Sequence, residues 1–164
     1  MIAPHIDIAI TSDAWGAKPK WSRLIEQAVA AAIAAARMRV PPDCELSILL
    51  TDDEAVRALN ARWRGIDKPT NVLSFPASDR SDIGPNSPAH AMLGDIALGR
   101  ETIEREAAIA AKPFDHHLQH LVIHGFLHLI GYDHQNDSDA ERMEELERQA
   151  LKLLAVPDPY ASGR

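Results

Sequence analysis

The residues most able to do chemistry in this chain are three histidines in the segment His124-Gly-Phe-Leu-His128-Leu-Ile-Gly-Tyr-Asp-His134. Residues four apart on an α-helix share one face with Cβ atoms ~6 Å apart, so His124 and His128 can aim both imidazoles at one cation with bonds of ~2.0–2.1 Å. Gly131 can take the left-handed conformation that ends a helix, after which a short return brings His134 to the same ion. His120 and His124 are also four apart, and His117 lies on a similar face, but His134 reaches His128 far more readily than His120. His116, His117 and His120 are therefore read as helix-face residues that could support the ligands from behind. His5 and His90 have no partner in sequence.

Three protein ligands leave the fourth position of a tetrahedral zinc open to water, whose pKa zinc lowers to ~7. One Zn²⁺ is the expected cofactor, although imidazoles also suit Ni²⁺ or Fe²⁺ and spacing does not separate them. The same offsets occur in the metzincin zinc proteases, where the residue after the first histidine is the glutamate that serves as general base. Gly125 stands in that place. A glycine side chain neither takes nor gives a proton, so peptide hydrolysis of that type lacks its base. Asn71, Ser74 and Asp95 could line a cleft, though polar residues at strand ends are more often structural. Asp133 either orients a histidine or completes the turn. Trp15, Trp21 and Trp63 could stack on bases, with ordinary packing as the alternative.

The elements that must position these residues follow from periodicity. Ile6, Ile8 and Ile10 alternate as in a half-buried strand. Trp21, Leu24, Ile25, Ala28, Val29, Ala32 and Ile33 recur at helical spacing, which predicts a helix from Pro19 to Met38, ahead of Pro41-Pro42. Glu45–Leu50 reads as a second strand, and Thr51 with Glu54 as the capping box of a helix ending near Gly65. Asn71–Phe75 and Leu93–Leu98 read as two more strands, joined by a Pro-, Ser-, Asp- and Gly-rich loop from Pro76 to His90. A helix over Glu101–Ala111 precedes one opened by Pro113 and running to Gly131, whose apolar residues surround it nearly completely, as in a buried central helix. Ser138 with Glu141 is expected to cap a last amphipathic helix to about Leu154. The expected fold class is α/β (α+β): a small mixed sheet of about four strands, five or so helices, and a central histidine-bearing helix. One domain is expected over residues 1–164, with its ordered core at about 5–156.

Composition narrows the function classes. With 46% hydrophobic and 25% charged residues the chain reads as an ordinary globular protein rather than a disordered one. Cys44 is the only cysteine, which excludes an intrachain disulfide and paired-thiolate zinc frameworks and fits a reducing cytosol. The start of the chain lacks a secretory pattern, and the alanine-rich Ala28–Ala36 is too short to span a bilayer, so a cytoplasmic protein with no membrane partner is expected. A net charge of -7 disfavours nonspecific coating of nucleic acid, and no DNA partner is expected. The charge is polarised, however. Arg57, Arg62, Arg64 and Lys68 oppose only Asp67, whereas acids dominate from Gln135 to Ala150. Spacing alone would leave Arg64, near a helix end, capping carbonyls or facing solvent.

Three blocks together, His124 to His134, Arg64-Gly-Ile-Asp-Lys-Pro-Thr-Asn-Val-Leu-Ser-Phe-Pro76 and Leu93-Gly-Asp-Ile-Ala97, resemble the YbeY family of metal-dependent endoribonucleases. They occur in the family's order, and the resemblance covers most of the chain. It implies a cytoplasmic, single-strand-specific endoribonuclease in ribosomal RNA maturation, notably at the 16S rRNA 3′ end, and in ribosome quality control. It also implies one zinc held by His124, His128 and His134, and a functional arginine at Arg64, so Arg64 and His124 are the expected catalytic residues. The implied partners are single-stranded RNA, rRNA, and the small ribosomal subunit with its assembly factors. The alternatives are a noncatalytic, metal-stabilised ribosome-assembly or RNA-binding factor and a zinc peptidase or amidase.

Overall fold

The computed structural model describes residues 3–41, 43–77 and 92–161. Strand β1 (His5–Ile10) turns its isoleucines inward, as their alternation requires. Helix α1 (Lys18–Ala36) stops where Arg37 enters the left-handed region at φ 53°, a turn short of the Pro-Pro signal. Next come β2 (Glu45–Thr51), α2 (Asp53–Arg64), β3 (Val72–Pro76), β4 (Met92–Gly99), α3 (Arg100–Ile109), α4 (Phe114–Leu129) and α5 (Asp137–Leu153). The expected mixed sheet of four strands and five helices is borne out. The expected 76–90 loop lies, from residue 78 onward, outside the described residues.

The strands lie in the order β1-β2-β4-β3, with β1, β2 and β4 parallel and β3 antiparallel to β4. One face of the sheet, including Leu46, Ile48, Leu50, Ile96 and Leu98, packs under α1 and α4 in the main core, and α5 lies against those two helices. On the other face, Leu73 and Ala97 form a small cluster with Val56 of α2. Helix α4 lies between α1, α5 and the sheet, and most of its side chains are buried, which accounts for its nearly all-round apolar sequence.

Two cap assignments need correction. Asp52, rather than Thr51, caps α2, its carboxylate accepting from Ala55 N at 2.8 Å. The Thr51 hydroxyl instead accepts from Thr11 Oγ1 at 2.8 Å. Asn136, rather than Ser138, caps α5 by accepting from Asp139 N at 2.8 Å, so that helix starts a residue before Ser138. Asp is a better N-cap than Thr, which accounts for Asp52, whereas Asn and Ser cap about equally well and the ranking does not separate Asn136 from Ser138. Trp15 and Trp21 are also spoken for. They meet edge to face with ring centroids 5.2 Å apart, both pack on Phe114, and both are buried. Neither offers a face to a base. Among the described residues, no helix is long and apolar enough to cross a membrane.

Candidate metal centre

The end of α4 folds as the sequence demands. Gly131 takes φ 108°, Tyr132 N donates to Leu127 O at 2.9 Å, and Gly131 N donates to His128 O at 3.0 Å, so the helix closes and the chain doubles back. His134 then returns toward His124 and His128, and one ring nitrogen from each of the three lies within 4.8 Å of the others. The Nε2 atoms of His124 and His128 are 3.2 Å apart. Two nitrogens bound tetrahedrally at ~2.0–2.1 Å would stand ~3.3 Å apart, so the donor set fits one transition-metal ion. Two of the rings are half-buried and His134 is exposed, which leaves the cluster facing solvent on one side. Burial, and then the neighbouring His124 and His134, push the His128 pKa below its ordinary value, favouring the neutral form that a ligand must have. Asp133 completes the turn, its carboxylate accepting from His134 N at 2.8 Å.

Behind the rings stands a residue that sequence reasoning missed. Glu147, on α5, is 1% exposed and has one oxygen 3.2 Å from His124 Nδ1 and the other 2.5 Å from His120 Nε2. The Tyr160 hydroxyl donates to it at 2.7 Å. Burial pulls the Glu147 pKa upward, but the hydrogen bonds to His120 and His124 outweigh it and lower it to about 2. Burial and the adjacent Glu147 charge push the Tyr160 hydroxyl upward, keeping it a donor. An ionised carboxylate only accepts, so each facing ring nitrogen carries the proton. With Nδ1 engaged by Glu147, His124 turns Nε2 toward the cluster. His120, whose Nε2 is taken by Glu147, stays out of the cluster, which decides between the two histidine pairs that spacing allowed. The signal for Glu147 was present as an acid on the stripe Met143, Glu147, Ala150, Leu151, all of it buried. His117 pairs with Glu106 at 2.8 Å, and Glu106 in turn accepts from Asn71 Nδ2 at 2.9 Å.

A cleft of about 600 Å³ opens in front of the cluster, lined by the three histidines, Arg64, Asn71, Ser74 and Tyr132 among others. Arg64 is the last residue of α2, exposed, and among the described residues no carboxylate pairs with it. Its place is set by its surroundings. Gly65 caps the helix at φ 71°, Arg57 grips Asp67 through two bonds of 2.7 and 3.0 Å, and buried Asn60 donates to Lys68 O at 2.9 Å. Arg57 is therefore committed to Asp67, and Arg62 lies 4.9 Å from the centroid of the exposed Trp63 ring. Of the polar candidates, Asn71 and Ser74 line the cleft but also hold structure. Asn71 Oδ1 accepts from Val72 N at 2.7 Å, and Ser74 Oγ donates to Gly125 O at 3.0 Å. Asp95 is exposed and borders a separate groove. A Cβ on Gly125 would sit 3.0 Å from Ser74 Oγ and 3.2 Å from Val72 Cγ2. The place where a zinc protease carries its base is here the contact between α4 and β3.

The family model of endoribonuclease YbeY matches residues 8–155. The chain belongs to the YbeY family. Proteins named endoribonuclease YbeY from Bradyrhizobium diazoefficiens and Chelativorans sp. are 52% and 56% identical to it. The first alignment covers 96% of this chain and 86% of the relative, the second 95% and 93%. The solution structure of TM1509 from Thermotoga maritima is similar with a TM-score of 0.55 at 22% identity, covering 96% of this chain and 99% of that one. That likeness concerns the fold. The YbeY family match spans every residue that lines the cleft, from Arg64 at the end of α2 to His134 after α4.

Proposed function

We propose that this chain is a zinc-dependent, single-strand-specific endoribonuclease of ribosomal RNA maturation, acting at the 16S rRNA 3′ end and in ribosome quality control in the cytoplasm. Its partners in this reading are rRNA and the small ribosomal subunit with its assembly factors. The observation that carries it is an exposed Arg64, with no carboxylate paired to it among the described residues, sharing one cleft with a three-histidine cluster in a chain of the endoribonuclease YbeY family. His124, His128 and His134 are assigned as metal ligands, and Arg64 and His124 as the catalytic residues.

Zinc held there supplies Lewis acidity toward a phosphodiester oxygen and toward water. The guanidinium of Arg64 offers paired N–H donors that match two phosphate oxygens, which orients the scissile group and offsets charge developing on it. Because Arg64 ends α2 and the histidines end α4, a backbone phosphate must enter between the two helix ends. Single-stranded RNA, with its free backbone, meets that demand more easily than a duplex. Glu147 stands 3.2 Å behind His124 at Nδ1, so Nε2 is the nitrogen turned to the cluster.

The test is incubation of zinc-loaded and chelated protein with single-stranded RNA, with His128→Ala as a control. Cleavage is expected from the loaded wild type alone. Intact RNA with stoichiometric zinc bound would instead support a noncatalytic RNA-binding factor. A product ending in 2′,3′-cyclic phosphate would show attack by the neighbouring 2′-hydroxyl, and a linear phosphate would show attack by water.

A further inference from the structure

A metal-ligating imidazole must offer a bare nitrogen in a fixed direction, and its other nitrogen is the handle by which a protein fixes both proton and orientation. Here that handle is held by α5. Three donors converge on the two oxygens of one buried carboxylate: His124 Nδ1 on Oε2, and His120 Nε2 and the Tyr160 hydroxyl on Oε1. Both donors on Oε1 are themselves placed. The Tyr160 ring meets His120 edge to face at 5.6 Å, and the Arg148 guanidinium lies 5.3 Å from the Tyr160 ring centroid while pairing with Asp158 at 3.3 Å. The segment after α5 thus closes over the carboxylate and clamps it from the side away from the cleft.

We propose that Glu147 is a positioning residue that fixes His124 in its Nδ1–H tautomer with Nε2 turned to the metal, and that His120 and Tyr160 hold Glu147 in place to do so. The inference rests on the reading of His124, His128 and His134 as metal ligands, although its core, the tautomer of His124, is a property of the metal-free protein. Nδ1 of His120 fits the same proton arrangement. Among the described residues it is buried with no hydrogen-bond partner, as expected of the bare nitrogen of a ring whose proton sits on Nε2.

The isosteric change Glu147→Gln makes the claim testable. An amide has one accepting and one donating end. With two donors on the Oε1 side and one on the other, the amide oxygen stays with His120 and Tyr160 and the NH₂ group turns to His124. Nδ1 of His124 must then accept, which moves its proton to Nε2 and blocks the ligating nitrogen.

Two measurements decide it. Imidazole ¹⁵N shifts of the metal-free wild type should show His124 protonated on Nδ1, and those of Glu147→Gln should show the proton moved to Nε2. Zn²⁺ titration against a chromogenic chelator should give affinity ~10- to 100-fold weaker for Glu147→Gln than for the wild type. A carboxylate that only filled space would lower thermal stability on substitution and leave the tautomer unchanged, which would overturn the proposal. So would an Nε2–H tautomer in the metal-free wild type, a measurement that stands even if the variant does not fold. If the wild type bound no Zn²⁺, the ligand assignment would fail, and the wild-type tautomer would still decide the role of Glu147.

Discussion

At the scale of single residues, the proposed function divides the cleft between holding a metal and handling a phosphate. The three imidazoles share one point in space, whereas Arg64 reaches the same cleft from another helix with no hydrogen bond to any of them among the described residues. Arg64→Glu should therefore keep stoichiometric zinc and lose RNA cleavage by ~10²–10³-fold or more, the size of removing one preorganised charge-stabilising group. His124→Ala should lose both. Elemental analysis beside a cleavage assay checks this, and equal zinc loss in the two variants would make Arg64 structural. Gly125 gives the reverse case, a residue whose smallness matters. Installing the protease base there, Gly125→Glu, puts a carboxylate into the α4–β3 contact, where even a Cβ meets Ile96 Cγ2 at 3.3 Å. The expected result is a loss of roughly 3 kcal/mol or more in urea unfolding and no peptidase activity. A stable variant that cleaves peptides would refute the packing explanation.

At the scale of elements, much of the site was legible because helical geometry is local. The spacing of His124 and His128, the break at Gly131 and the return to His134 each need only the next few residues, and the structure has all of them. Strand positions were legible for the same reason, from the alternation in β1 to the apolar run of β2. What sequence left hidden was contact across elements. Glu147 reaches His124 from 23 residues away, and Glu106 joins Asn71 to His117 from 35 and 11 residues away. Nothing in a periodicity says which helix faces will meet. The placement of Arg64 is an intermediate case, because Gly65 announced the end of α2 but the Arg57–Asp67 clip and the Asn60–Lys68 bond did not appear in any motif. Gly65→Ala tests the legible part. A Cβ there meets nothing within 4 Å, so the whole cost comes from φ 71°. A loss of ~1 kcal/mol is expected from the left-handed backbone alone, with slower RNA cleavage as Arg64 shifts. Unchanged stability in urea unfolding would show that the cap does not set the end of α2.

At the scale of the whole molecule, the protein keeps ionisable groups inside its fold, and this ties its stability to pH. His117 lies 7% exposed at the junction of α3 and α4, facing Glu106, Lys112 and His120. Burial pushes its pKa below the ordinary value, and the bond to Glu106 only partly offsets this. The unfolded chain takes up this proton near the ordinary histidine value of ~6.5, while the folded protein resists until lower pH. Between those two points the unfolded state binds more protons. The stability from a neutral, buried His117 is therefore complete above ~6.5 and is lost as pH falls through the depressed folded value. In the metal-free protein, the urea midpoint should fall between pH 7 and pH 5. His117→Gln keeps a donor for Glu106 but has nothing to titrate, so its midpoint should fall less steeply over the same interval. Parallel profiles for the two proteins would mean that His117 takes up its proton as readily folded as unfolded, and that the acid sensitivity has its origin elsewhere in the fold.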